Sequence, residues 1–185
     1  MPELRNVCVF CGSRPGYSPS ITSAAERFGA SLAELGIGLV YGGASVGLMG
    51  VLADAALRAG GHVTGVITSS LVDDEVAHTG LSRLHVVETM HDRKALMSEL
   101  SDAFIMLPGG FGTFEEFFEA VTWAQLGIHD KPCAILNVDD FFSHFLGFIG
   151  HAERQGFIRS QLAAGIVISN DPDALLAGLR GDRDG

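Results

Sequence analysis

A chain of 185 residues, 47% hydrophobic and 18% charged, is long enough for one well-buried core and reads as one globular domain over 1–185, with 180–185 as a frayed tail. A formal net charge of −10 argues against general affinity for nucleic acid, which needs a basic surface to release counterions. It leaves room for a small phosphorylated ligand held by a local cation pair such as Arg93-Lys94. No apolar run has the ~20 residues of a membrane span, and Met1-Pro2-Glu3-Leu4-Arg5 is no signal peptide, so the expected setting is the cytoplasm, with no membrane partner.

The first predicted strand is 7–11. It carries Cys8 and Cys11, and their odd spacing on a strand points them to opposite faces, which suits neither a redox pair nor a metal site. A loop, Gly12-Ser13-Arg14-Pro15-Gly16, leads to a helix over 20–35, with apolar positions Ile21, Ala24, Ala25, Phe28, Leu32 and Leu35 and a stop at Gly36. A second strand covers 37–41. The glycine loop 42–47 opens a helix through Leu48, Val51, Leu52, Ala55 and Ala56 that ends at Gly60-Gly61. A third strand covers 62–68. Residues 69–80 have acids and no clear period and read as a loop, with a helical turn near Leu71.

A fourth strand follows at 84–87, then a helix capped by Thr89 and running to about Leu100. A fifth strand at 103–107 meets a glycine turn, 108–113, and a helix to about Leu126. The remaining elements are a strand over 132–138, helices over 141–155 and 160–164, a strand over 165–168 and a closing helix over 171–179. Strands and helices alternate throughout. That pattern predicts an α/β, Rossmann-like, doubly wound parallel sheet with right-handed crossovers and helices on both faces. Ligands of such sheets bind beyond the carboxyl ends of the strands. The turns after strands one, two and five, which hold Gly12-Ser13, Gly43 and Gly109-Gly110, belong to that edge.

The most informative stretch is Pro108-Gly109-Gly110-Phe111-Gly112-Thr113-Phe114-Glu115-Glu116, where an apolar strand becomes a helix. Pro108 ends the strand, because it has no ladder donor. The glycines remove side chains that would keep a ligand off the backbone. Free N–H groups at a helix start, with the dipole behind them, suit a phosphate. Thr113 and Glu116 also spell a capping box, a purely structural device. A Walker P-loop is excluded by the missing Gly-Lys-Ser/Thr, and a dinucleotide site is disfavoured by the missing G-x-G-x-x-G in the first turn and the lack of an acid at the needed place after the second strand.

Two side chains stand out. Arg93 falls inside the apolar stripe Met90, Leu96, Met97, Leu100. A guanidinium there needs a partner: a core carboxylate, solvent reached by snorkelling, or a ligand's oxygens. Lys94 is either an ordinary surface lysine or added positive charge. A fixed carboxylate such as Glu116 can stabilise an oxocarbenium-like ribose or orient a water. Placed in the first helical turn it would be kept ionised by the dipole, which suits a base. Glu115 points about 100° away on the helix.

The PGGxGTxxE pattern of residues 108–116 resembles the signature of the Lonely guy (LOG) family. Met90-His91-Asp92-Arg93-Lys94 resembles that family's Arg-Lys segment, and Cys11-Gly12-Ser13 and Tyr41 to Gly50 resemble its first two glycine loops. The likeness runs from about Val7 to about Val138, with Ala44 in place of a frequent Gly and Phe111 in place of a frequent Tyr. The resemblance implies a homodimeric phosphoribohydrolase with sites near the subunit interface. It would split nucleoside 5′-monophosphates, either AMP or N6-modified cytokinin AMP, into free base and ribose 5-phosphate without metal or cofactor. It also implies that Arg93 and Glu116 are catalytic. Substrate contacts would come from Gly12, Ser13, Gly43, Glu75, Arg93, Lys94, Gly109, Gly110, Phe111, Gly112, Thr113, Phe114, Glu115, Glu116 and Thr122. On the sequence alone, Thr122 is an ordinary helix residue and Glu75 a solvated loop acid.

The alternative is a non-catalytic nucleotide-binding or carrier protein on the same fold, which would have no need of both Arg93 and Glu116. Members of the family were long labelled lysine decarboxylases. That reading fails on chemistry, since a pyridoxal-phosphate enzyme needs a Schiff-base lysine and the chain has only Lys94 and Lys131. The apolar excess of Phe114, Phe117, Phe118 and Trp123 on one helix fits a dimer interface or a thick core.

Overall fold

The structure, a computed structural model, describes residues 4–73, 76–159 and 165–181. Among these residues, seven parallel strands form one sheet: β1 (Asn6–Phe10), β2 (Gly38–Tyr41), β3 (Val63–Thr68), β4 (Arg83–Val87), β5 (Ala103–Met106), β6 (Cys133–Leu136) and β7 (Ile166–Ser169), in the spatial order β4-β3-β2-β1-β5-β6-β7. The chain steps outward from β1 to β4, then returns to lay β5 on the other side of β1. The switch point therefore lies between the carboxyl ends of β1 and β5, where the order reverses.

The central strands are buried on both faces, as parallel strands under helices must be. One face packs on α1 (Pro19–Glu34), α2 (Gly47–Arg58) and α7 (Pro172–Arg180), through Val7, Val9, Cys11, Phe28, Leu32, Leu52 and Leu176. The other face packs on α4 (Met90–Glu99), α5 (Phe111–Gln125) and α6 (Ser143–Arg154), through Cys8, Phe10, Met97, Phe104, Phe117 and Phe142. Cys8 and Cys11 thus lie in opposite cores, as strand alternation requires; both are free and buried. The two edge strands are less buried, with Val86 of β4 54% exposed and Ile168 of β7 47% exposed.

Several elements differ from their sequence expectation. The helical turn expected near Leu71 is present as a short helix, α3 (Ser69–Asp73), whereas Ala77, in the expected loop, bridges to Ala44. The sixth strand ends at Leu136, because Val138–Asp140 turn into a 3₁₀ segment in which Asp139 and Asp140 have positive φ. The helix after it starts at Ser143 rather than residue 141. Asp171 caps α7 instead of belonging to it, accepting from the N–H groups of Asp173 and Ala174. Arg180 is the last helical residue and Gly181 the left-handed cap, so helix and cap take up the first two residues of the expected tail. The short helix expected at 160–164 and residues 182–185 lie outside the described residues.

The main correction concerns α5. It begins at Phe111, with Gly110 as its cap and no side-chain cap hydrogen bond. Thr113 is the third helical residue and is buried, not the cap, and Glu116 sits in the second turn, not the first. No Thr113–Glu116 capping box forms. The Thr89 cap of α4, by contrast, is present: Thr89 Oγ1 accepts from the Asp92 N–H at 3.1 Å and donates to the Asp92 carboxylate at 2.6 Å.

Candidate active site

Backbone bonds bring the predicted turns together. The Leu107 N–H donates to Phe10 O at 2.9 Å, and the Gly12 N–H to Pro108 O at 3.0 Å. The Leu48 N–H donates to Gly12 O at 3.0 Å, which ties the second turn in. Over the second turn, His78 N–H donates to Gly43 O at 2.9 Å and Ser45 N–H to Val76 O at 2.8 Å. At α5 the first intrahelical bond is Phe114 N–H to Gly110 O, at 3.0 Å. The N–H groups of Phe111, Gly112 and Thr113 precede it and carry the positive end of the helix dipole.

The glycines divide by role. A Cβ on Gly109 would collide with Thr113, so this glycine lets the turn pack on its own helix. At Gly110 and Gly112 a Cβ would meet nothing within 4 Å. No protein atom fills that space, so these two glycines leave the helix start open. Beside it lies a cavity of about 490 Å³, whose lining includes Ser13, Arg14, Ile21, Gly109, Phe111 and Phe141. Phe111 is 93% exposed at its mouth.

Arg93 is buried in the apolar stripe, with Met97, whereas Met90 of the same stripe is 45% exposed. Arg93 Nε donates to Val66 O at 2.9 Å and Nη2 to Gly42 O at 3.0 Å, while Nη1 reaches the Met90 sulfur at 3.6 Å. A Cβ on Gly42 would strike Nη2, so that glycine exists to let the guanidinium pass. Nη1 is 4.0 Å from Glu116 Oε1. Glu116 is also largely buried, its side chain 13% exposed. Burial pushes its carboxyl up from 4.5 to about 7, and the Arg93 guanidinium only partly offsets this. The helix dipole therefore does not hold it ionised as expected: Glu116 lies in the second turn, where the dipole has fallen off, and desolvation dominates.

Lys94 is held by acids. Its ammonium donates to Glu115 at 2.5 Å and lies 3.1 Å from Glu119. Burial lowers its affinity for the proton, but the two carboxylates outweigh this and the net shift is upward. Glu115 is thus occupied by Lys94. Phe114 turns away from the glycine turn and packs on Phe142 and Phe145. Thr122 is exposed in the last turn of α5, about 14 Å along the axis from Thr113. Phe117 is core and Phe118 meets Phe145 in a tilted ring contact while remaining 42% exposed, so Phe114 and Phe118 both pack on Phe145 of α6. Glu75 lies outside the described residues. The structure thus gathers Gly12, Ser13, Gly109, Gly110 and Phe111 around one cavity at the start of α5, where Gly112 and Thr113 follow; Arg93 and Glu116 pair further along α5, and Glu116 lines a separate small cleft with Lys94, Phe104 and Trp123. The two carbonyl seats of Arg93 were not legible in the sequence, because they come from β3 and the turn after β2.

A family model described as "Possible lysine decarboxylase" matches residues 49–179. A cytokinin riboside 5′-monophosphate phosphoribohydrolase of Rhodococcoides fascians is 49% identical over 180 residues, 97% of this chain and 91% of its own length. The LOG protein of Oryza sativa subsp. japonica, also named a cytokinin riboside 5′-monophosphate phosphoribohydrolase, is 50% identical over 167 residues, 90% of this chain and 69% of its own. The chain belongs to the LOG family. Its fold is shared more widely. A molybdenum cofactor binding protein of Rippkaea orientalis superposes with a TM-score of 0.72 over 98% of this chain and 99% of its own, at 20% identity. The molybdenum cofactor carrier protein of Chlamydomonas reinhardtii does so with a TM-score of 0.72 over 97% and 98%, at 18% identity. Those likenesses show the fold alone.

Both lysines of this chain are engaged by other groups. Lys94 is clamped by two carboxylates, and Lys131 Nζ donates to Ser98 O at 2.6 Å. Among the described residues no group of three or more His, Cys, Asp or Glu could hold a metal ion, and no helix is long and apolar enough to cross a membrane.

Proposed function

We propose that the chain hydrolyses the N-glycosidic bond of nucleoside 5′-monophosphates, AMP and N6-modified cytokinin AMP among them, to free base and ribose 5-phosphate. The observation that carries this reading is that α5 offers both ends of the chemistry. Its uncapped start faces open space at Gly110 and Gly112, and Glu116, three residues beyond Thr113, meets Arg93 at 4.0 Å. The relatives at 49% and 50% identity, named for this reaction, support it.

In this reading the helix start and the Gly12-Ser13 turn bind the 5′-phosphate through N–H groups. That places the ribose over Glu116. As the C1′–N bond breaks, the bonding electrons leave with the base and positive charge develops on the sugar. The Glu116 carboxylate stabilises that charge and orients the water that attacks C1′, whose proton the carboxylate can accept. Arg93, rigid between two carbonyls, keeps Glu116 in place and presents Nη1 to the substrate oxygens. The reading includes a cytoplasmic homodimer without nucleic-acid or membrane partners. Phe118, Leu126, Ile128 and Phe148, all exposed on or just beyond α5 and α6, support the dimer, and the charge of −10 supports the absence of nucleic acid.

The test is release of base and ribose 5-phosphate from AMP and from isopentenyladenosine monophosphate, by wild type and Glu116→Ala, with the unphosphorylated riboside as control. Release that depends on the 5′-phosphate and is lost in Glu116→Ala supports the reading. Tight nucleotide binding with no release would overturn it in favour of a nucleotide carrier.

A further inference from the structure

A 5′-phosphate brings two negative charges to a chain that already carries −10. The basic side chains flanking the helix start are not equally free to meet it. Arg93 spends Nε and Nη2 on the carbonyls of Val66 and Gly42, and Nη1 faces Glu116. Lys94 is neutralised by Glu115 and Glu119. Arg14 has neither a hydrogen bond nor an ion pair among the described residues, and it lines the same cavity as Gly109, Gly110 and Phe111. No carboxylate lines that cavity.

We infer that Arg14 is the cation that recognises the 5′-phosphate and sets the preference for phosphorylated over unphosphorylated nucleoside. The inference rests on the function proposed above. Its backbone is well placed for the task. The turn beneath it is bonded to Pro108 and to Leu48 through Gly12, and a Cβ on Gly47 would strike Ser13 and the Arg14 nitrogen. Pro15 follows and fixes its own φ. The root of the side chain is therefore held against the start of α2, while the guanidinium stands in solvent beside the open start of α5. A planar fork there completes what backbone N–H groups begin: bidentate, charge-assisted contact with phosphate oxygens. It costs nothing in burial before the ligand arrives. In a second cavity, between α1 and α7, Arg27 is paired with Asp171 and Asp173.

The experiment is steady-state kinetics of wild type, Arg14→Ala and Arg14→Lys on AMP and on adenosine, with calorimetric binding of AMP to the same three proteins. Arg14→Ala should raise KM and Kd for AMP about 10- to 100-fold, as expected for a lost hydrogen-bonded charge pair, with kcat changed less than about threefold. The preference for AMP over adenosine should fall by the same factor, and Arg14→Lys should recover part of it. An unchanged Kd and KM in Arg14→Ala overturns the inference, and so does an equal loss on adenosine. If wild type binds AMP but releases no base, the hydrolase reading fails while the binding arm still decides the role of Arg14. If wild type does not bind AMP, both fall.

Discussion

Nη1 of Arg93 and Oε1 of Glu116 stand 4.0 Å apart at the join of α4 and α5, with both side chains more than four-fifths buried. The separation is that of a weak ion pair, which only partly offsets burial, and burial pushes the carboxyl up from 4.5 to about 7. Its charge is in balance near neutrality, which is useful to a group that must bear charge in one step and accept a proton in another.

Activity should therefore follow the ionised form of Glu116. The expected kcat/KM for AMP rises about tenfold per pH unit well below pH 7 and levels off above it, with the inflection near the carboxyl's value of about 7. The ammonium of Lys94, shifted upward, stays charged across this range. Glu116→Gln should abolish the rise together with most of the rate; a pH profile from 5 to about 9 checks it.

The same carboxyl predicts a stability trend of opposite sense. Its folded value, about 7, lies above its ordinary 4.5. The protonated form is thus favoured by folding, and this contribution is fully present below pH 4.5 and is lost as pH rises through about 7. Glu116→Gln stays neutral throughout. Its melting temperature relative to wild type should accordingly climb between pH 5 and about 8. A flat difference would show that Glu116 is not desolvated in the free protein.

Removing Arg93 should damage fold and function together. Arg93→Ala leaves Val66 O and Gly42 O without their donor and Glu116 without its counter-charge, at an expected cost of about 2–4 kcal/mol. Arg93→Lys should not restore activity, because an ammonium cannot reproduce a three-way planar fork. Urea unfolding and AMP turnover of both variants measure the two effects.

Gly109→Ala should act on the turn from within. The added Cβ would strike Thr113 at its Oγ1, and lie 2.7 Å from its Cβ and 2.9 Å from its Cγ2, inside a buried contact. The expected result is about 1–3 kcal/mol of destabilisation and a displaced helix start. Gly112→Ala meets nothing and should fold normally, so any loss of AMP binding there reports on the space the ligand needs.

Native thiols should be unreactive. Cys8, Cys11 and Cys133 are all buried, and burial pushes their thiols up, Cys133 to about 12. Titration with a thiol reagent should find none accessible until the protein is unfolded.

The alternation of short apolar runs with helical periods was enough, by itself, to establish a parallel doubly wound sheet, and the parity of Cys8 and Cys11 was enough to separate them. The glycine turn and the anomaly of Arg93 within an apolar stripe were equally legible, since both are local patterns. The start of α5 was not. A threonine with glutamate three residues on fits a capping box and a helix interior alike, and only the packing of Thr113 under Gly109 decides between them. Nor could the sequence show the partners of Arg93, which lie 27 and 51 residues away, within β3 and just after β2. The solitude of Arg14, the sequestration of Lys94 and the ionisation of Glu116 belong to the same class. Charge pairing and desolvation depend on which segments meet in space, and tertiary packing alone determines that.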